Sequence, residues 1–354
     1  MSYEARRALI NRIQELRGSR VICFLTSLRQ NVPGLIAEDQ VRVFFEHLQL
    51  LPERPVEKLD IFLVSNGGQS TVPWRLTALF REFGSSIGVL VPYRAYSAAT
   101  MVALGADEIV MHPFGELGPI DPTVQNEFNP KDGNRVLGIG VEDVSAYVQF
   151  VKETMGITHE DELVQALVAL TNQVHPLALG NVERFLAQSR MIAKKILGTH
   201  AEKRDDHAIN EIVENMASRL YFHAHPINRK EAKDDLKLEI APNPPPELES
   251  AMWDLYKLYE EEFKNAVPFH PAGELATAAI TEEDARAQLP NPPPIGTPVQ
   301  VRKDYELLHA CIETARLSSW HFTRRVYTWV GALASPPQVR EDVTDQGWRH
   351  VRAP

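Results

Sequence analysis

The chain has 354 residues, 44% of them hydrophobic and 24% charged, which is enough for a full core and ordinary for a soluble globular protein. A formal net charge of -10 excludes a broad electrostatic grip on nucleic acid or anionic lipid and leaves room only for a small basic patch hidden in the sum. The two cysteines, Cys23 and Cys311, stand far apart without a Cys/His cluster, so a reduced core thiol is expected at Cys23 and a metal site is not.

The N-terminus runs into an amphipathic stretch rather than an apolar signal core. No segment reaches membrane-spanning length without charges, so a cytoplasmic protein with no membrane span is expected. Over 4–17, Ala5, Leu9, Ile13 and Leu16 share one helical stripe. From Arg20 a βα repeat is predicted: strands at 21–26, 59–65 and 86–92, helices at 37–51 and 73–83, and a helix opening at Ser97. A short strand at 108–111 leads into turn residues Gly115, Gly118 and Pro119, then an exposed loop over 124–137. Helical periodicity returns over 141–154, 160–174, 177–196 and 208–219.

The run Pro242-Asn243-Pro244-Pro245-Pro246 favours stiff, extended backbone and marks the edge of the core. Beyond it the pattern predicts a helix over 247–265, a hairpin from 305–313 and 319–330, and a loosely ordered end from Ser335. The chain thus divides into an N-terminal helix (1–18), a core (19–241) and a proline-punctuated C-terminal extension (242–354).

The chemistry gathers at the carboxyl ends of two strands. Leu63-Val64-Ser65-Asn66-Gly67-Gly68 ends one of them, and paired glycines there expose backbone N–H groups able to hold a developing oxyanion. The next strand ends at Val91-Pro92-Tyr93, and Ser97 then opens a helix of small residues, where the dipole favours negative charge. Taken singly, the glycines read as a turn and the serine as a helix cap; their order puts both at one edge of a parallel sheet, where sites in such folds gather.

The run from Asn66-Gly67-Gly68 through Val91-Pro92-Tyr93 and Ser97-Ala98-Ala99-Thr100-Met101 to Leu117-Gly118-Pro119-Ile120-Asp121-Pro122 resembles the serine dehydrogenase proteinase family. That family is related to signal peptide peptidase A and the proteolytic subunit of Clp protease. The segment Tyr221-Phe222-His223-Ala224-His225-Pro226 is similar to the family's approach to its last core strand, so the resemblance covers about 20–240. It implies an α/β fold, a ClpP/crotonase-like spiral of βα units with helical insertions, here followed by a small C-terminal α+β extension. It also implies a serine peptidase site acting on a peptide or protein substrate without a cofactor, and a homo-oligomer. Ser97 matches the family's nucleophile, Gly67 and Gly68 match the pair whose amides hold the oxyanion, and Ala98 is placed to add another amide. Asn66 stands where a proline is usual, and Ala98-Ala99 where a glycine is.

A serine needs a base. The histidine that the Clp subunit carries near the position of Ile120-Asp121-Pro122 is absent. The candidates are His225, with Asp121 to orient it, and Lys152, by similarity to the Ser-Lys dyad of signal peptide peptidases; Lys194 and Lys195 read as helix C-terminal charges. The alternatives are a catalytically silent scaffold or interaction protein of the same fold and, ranked last, an acyl-CoA enzyme of the crotonase family using the same oxyanion arrangement.

Overall fold

The computed structural model describes residues 3–120, 123–124, 127–133, 135–219, 225–242, 244–275, 298–332 and 338–352. Among these, helices α1 (Tyr3–Arg17), α2 (Asp39–Leu48), α3 (Val72–Phe83) and α4 (Ala98–Leu104) alternate with strands β1 (Arg20–Thr26), β2 (Val56–Val64), β3 (Gly84–Val91) and β4 (Arg94–Ala95). β5 (Glu108–Met111) and β6 (Glu116–Leu117) follow, and then four two-residue strands, β7 (Thr123–Val124), β8 (Lys131–Asp132), β9 (Arg135–Val136) and β10 (Ile139–Gly140). A helical stretch comprises α5 (Val141–Gln149) running into a π turn (Phe150–Thr154), α6 (Glu160–Thr171), α7 (Pro176–Leu197) and α8 (Asp206–Glu214), which runs into a second π turn (Asn215–Arg219). β11 (Ile227–Asn228), α9 (Arg229–Asp234), α10 (Pro246–Phe263), β12 (Pro298–Glu313), β13 (Leu317–Ala332) and β14 (Gln338–Arg352) complete it.

The main sheet has the order β14-β13-β12-β1-β2-β3-β5. β1, β2, β3 and β5 are parallel, whereas β12 joins β1 antiparallel and carries β13 and β14 with it. Strands buried on both faces read as near-continuous apolar runs, which is what 21–25 and 61–64 encode, while the buried Asp60 is held by Arg17 and Ser19. Ile22, Phe24, Leu59, Ile61 and Leu63 face one layer with α3, α4 and α7, while Val21, Cys23, Leu25 and Phe62 face the other, packed by α1 and α10. Cys23 and Cys311 are both free and buried, the expected condition for Cys23.

The expected hairpin is present, but the chain end is not loose: residues 338–352 form β14, paired with β13 along its length. Its alternating charges concealed it, since both faces of an edge strand tolerate water. The boundary expected at 242 separates no sheets, because β12 lies directly beside β1. Glu313, fully buried, accepts from Arg6 Nε at 2.8 Å, Arg6 NH2 at 3.1 Å, Tyr259 Oη at 2.8 Å and Ser318 Oγ, joining α1, α10 and the β12–β13 turn.

On the other layer, Arg81 of α3 grips Asp107 with two bonds of 2.6 and 2.9 Å, and the N–H groups of Ile87 and Ala201 reach the same carboxylate at 2.8 and 3.0 Å. Burial alone would raise the Asp107 pKa; the Arg81 guanidinium and the two amides outweigh it and hold it below the ordinary carboxylate value. A depressed folded-state pKa contributes stability above the unfolded pKa of about 3.9, lost as pH falls through the lower folded value. Asp107→Asn is therefore expected to lower urea-unfolding stability by roughly 1–3 kcal/mol at pH 7, with the gap from wild type closing as the pH is taken below about 4.

Candidate active site

The site is built where β2 and β3 end. Past β2, Ser65 N–H donates to Arg94 O at 3.0 Å and Tyr96 N–H donates to Ser65 O at 2.9 Å, so the two strand ends run side by side up to Ser97. The turn after Ser65 is folded back on Ile36, whose N–H donates to Gly67 O at 2.8 Å and whose carbonyl accepts from Gln69 N–H at 2.8 Å. Both glycines have positive φ, 102° at Gly67 and 156° at Gly68. A Cβ on Gly67 would stand 2.8 Å from Tyr96 O and 2.9 Å from Ser97 Cβ, and one on Gly68 would stand 2.2 Å from Ile36 O. Only a residue without a side chain lets the turn approach the serine this closely.

Ser97 is half-buried and holds φ 53° and ψ -115°, a backbone conformation costing a non-glycine residue about 1–3 kcal/mol. It occupies the N-cap position of α4, yet its side chain caps nothing, which removes the ordinary reason for a serine there. Thr100 secures the following turn, its Oγ1 lying 2.7 Å from Ala95 O and 2.8 Å from Gly118 O while accepting from Gly118 N–H at 3.1 Å.

The Gly67 amide, expected to face an oxyanion, is engaged within the turn. Its N–H donates to Ser65 Oγ at 3.0 Å, and Ser65 Oγ in turn accepts from Thr26 Oγ1 at 2.8 Å, so Gly67 supplies space rather than a free donor. Among the described residues the N–H groups of Gly68 and Ala98 have no acceptor. Sequence reasoning missed Ser65 and Thr26, though a hydroxyl just before Asn66-Gly67-Gly68 is where such a bond forms.

The candidate bases are placed differently. Lys152 is exposed on the π turn after α5. Lys195 lies over the Trp74 ring at 5.7 Å. Asp121 lies outside the described residues. His225 precedes β11 in a small sheet of order β11-β6-β4, in which Ala95, Leu117 and Ile227 share one row. Ser97 follows β4 by two residues and His225 precedes antiparallel β11 by two, so both leave this small sheet at the same end. His225 Nε2 bonds Glu231 Oε1 at 2.7 Å, a partner on α9 that the sequence reading overlooked. Ser97 Oγ has no hydrogen-bond partner among the described residues. Burial and the Glu116 carboxylate, 2.6 Å from its hydroxyl, push the Tyr96 pKa well up.

A parallel-rich mixed α/β sheet flanked by helices is consistent with the ClpP-like fold. Within it, residues 1–137 match the family model of the ClpP-like SDH-type serine proteinases, a span that contains Gly67, Gly68, Ser97 and Ala98. The chain is 27% identical over 121 residues to the uncharacterized protein MJ1495 of Methanocaldococcus jannaschii, covering 32% of this chain and 41% of that protein. It is 24% identical over 259 residues to MJ0137 of the same organism, 72% of this chain and 79% of the relative. It thus spans about two fifths of MJ1495 and most of MJ0137. Among solved structures, a mutant of the 1510-N membrane-bound stomatin-specific protease is similar at 12% identity and TM-score 0.34, over 69% of this chain and 85% of that one. A second mutant of it, in complex with a substrate peptide, matches at 16% identity and TM-score 0.27, over 38% and 58%. Among the described residues no helix is long and apolar enough to cross a membrane.

The close approach at Gly67 is directly testable. Gly67→Ala is expected to cost roughly 2–5 kcal/mol in urea unfolding, from backbone strain plus overpacking against Ser97. Gly133→Ala, at φ 58° with nothing within 4 Å of the added carbon, is expected to cost only about 1–2 kcal/mol.

Proposed function

We propose that the chain is a serine peptidase in which Ser97 is the nucleophile, the N–H groups of Gly68 and Ala98 hold the oxyanion, and His225, oriented by Glu231, is the base. The observation that carries this reading is the strained Ser97 backbone, with no capping role, set against two free amides. The family-model match over 1–137 supports a peptide carbonyl as the group attacked. In the reaction Ser97 Oγ bonds to that carbonyl carbon as its proton passes to His225. The oxyanion collapses, the amine leaves with the proton, and water releases the acyl group by the reverse of the same steps. The row through Ala95, Leu117 and Ile227 supports His225 over Lys152, which is exposed and has no hydrogen bond or ion pair among the described residues. A homo-oligomer belongs to the same proposal. It is supported by α6, where Val164, Leu167 and Val168 are 57%, 54% and 51% exposed on a helix that buries none of its residues.

Incubation of the folded protein with a fluorophosphonate probe should label it, and Ser97→Ala should abolish labelling. His225→Ala should slow labelling by about 10²-fold or more, while Lys152→Ala stays near wild type. Labelling that persists without Ser97, or none at all in wild type, removes the peptidase reading; loss in the Lys152 variant alone removes His225 as base and leaves Ser97 standing.

A further inference from the structure

At the opposite edge of the sheet, where β1 begins, a cavity of about 230 Å³ is lined by residues of α1, β1, the end of α2 and the β12–β13 turn. Arg7, Arg20 and Arg316 all line it, and no lining residue is acidic. Arg7, Asn11 and Gln14 fall on one face of α1 by their spacing of four and three. Arg316 is held in place by one guanidinium nitrogen donating to Leu50 O at 2.8 Å, which leaves its other donors uncommitted.

Two features set this cavity apart from an ordinary charged surface. The first is pairing. Arg6, Arg17, Arg81, Arg190, Arg204 and Arg229 each meet a carboxylate, yet Arg7, Arg20 and Arg316 meet none among the described residues, although the chain is acidic overall. The second is His47, 1% exposed and lining the same cavity. Its Nε2 is 2.8 Å from Ser319 Oγ, which also meets His350 Nδ1 at 2.8 Å, while its own Nδ1 has no partner. A buried polar atom without a protein partner is uncommon, and His47 is one that lines a cavity. Burial and the neighbouring His350 push the His47 pKa down to about 3, so its ring is neutral and contributes a hydrogen-bonding atom rather than a fourth charge.

We propose that this cavity is a binding site for a small phosphate-bearing anion, held by Arg7, Arg20 and Arg316 with His47 at its floor. Guanidinium forks approaching from three separate elements suit phosphate oxygens. The volume lies below the roughly 300–1,000 Å³ of drug-sized sites, which sets the size of the occupant near an inorganic diphosphate or a small phosphate ester. Because α1, α2 and the β12–β13 turn all reach it, an anion there ties the two ends of the chain together at a distance from Ser97.

The test is calorimetric titration of the full chain with sodium pyrophosphate, against sodium chloride of equal ionic strength. Saturable binding is expected, at least ten-fold weaker in Arg7→Gln/Arg316→Gln and weakened also in Arg20→Gln. Fluorophosphonate labelling of Ser97 should be unchanged in these variants, which separates a failure here from a failure of the peptidase reading. Arg20 and Arg316 are exposed and Arg7 half-exposed, so folding is checked by unchanged thermal unfolding without anion. No saturable heat, or equal affinity in wild type and the arginine variants, overturns the proposal. Citrate binding as tightly as pyrophosphate overturns the assignment to phosphate.

Discussion

Much of the site depends on one steric constraint, the approach of the Gly67 backbone to Ser97. The turn after β2 is fixed to Ile36 by two backbone bonds, and the segment after β3 is fixed to Ser65 by two more. Between them no room remains for a Cβ at Gly67, and Ser97 adopts a conformation that a non-glycine residue rarely takes. Strain of this kind persists only where the surroundings over-determine it, and here they do so with hydrogen bonds on both sides. The same constraint directs the amides: Gly67 N–H is drawn to Ser65 Oγ, and those of Gly68 and Ala98 are left free.

The sheet that presents this edge is stabilised from both ends of the chain. Parallel strands β1, β2, β3 and β5 would end at β1 with an open hydrogen-bonding edge; β12 covers it, and α10 packs across the same layer as α1. The buried Arg6–Glu313 pair crosses that junction, with Tyr259 and Ser318 satisfying the remaining acceptor capacity. Removing one partner of such a pair leaves an uncompensated buried charge, a loss on the order of 3–5 kcal/mol. The C-terminal segment is therefore built into the same core as the strands that carry Ser97.

Most of the parallel half was legible because its chemistry is local. Apolar runs of strand length, alternating with amphipathic helices, place β1 to β3 and α1 to α4 within a few residues, and Gly67-Gly68 and Ser97 stand at the ends of those runs. β14 was not legible: a strand rich in Arg, Asp and Glu carries no apolar pattern and is specified by pairing to β13. The same holds for His225, the proposed base. Nothing local in His225-Pro226 reveals that β11 joins β6, which is a long-range pairing, and the Glu231 contact, only six residues away, depends on the turn from β11 into α9 rather than on any periodic pattern. Ser65 escaped because its role is to accept an amide two residues on, a bond invisible to periodicity.

The central claim is that Ser97 faces two free amides, and a structure of the fluorophosphonate-treated protein tests it most directly. The account predicts a phosphonyl group bonded to Ser97 Oγ with its oxygen about 2.7–3.1 Å from both Gly68 N and Ala98 N, and the Gly67 amide still on Ser65 Oγ. An adduct whose oxygen points to solvent, or which is held by other donors, would contradict it.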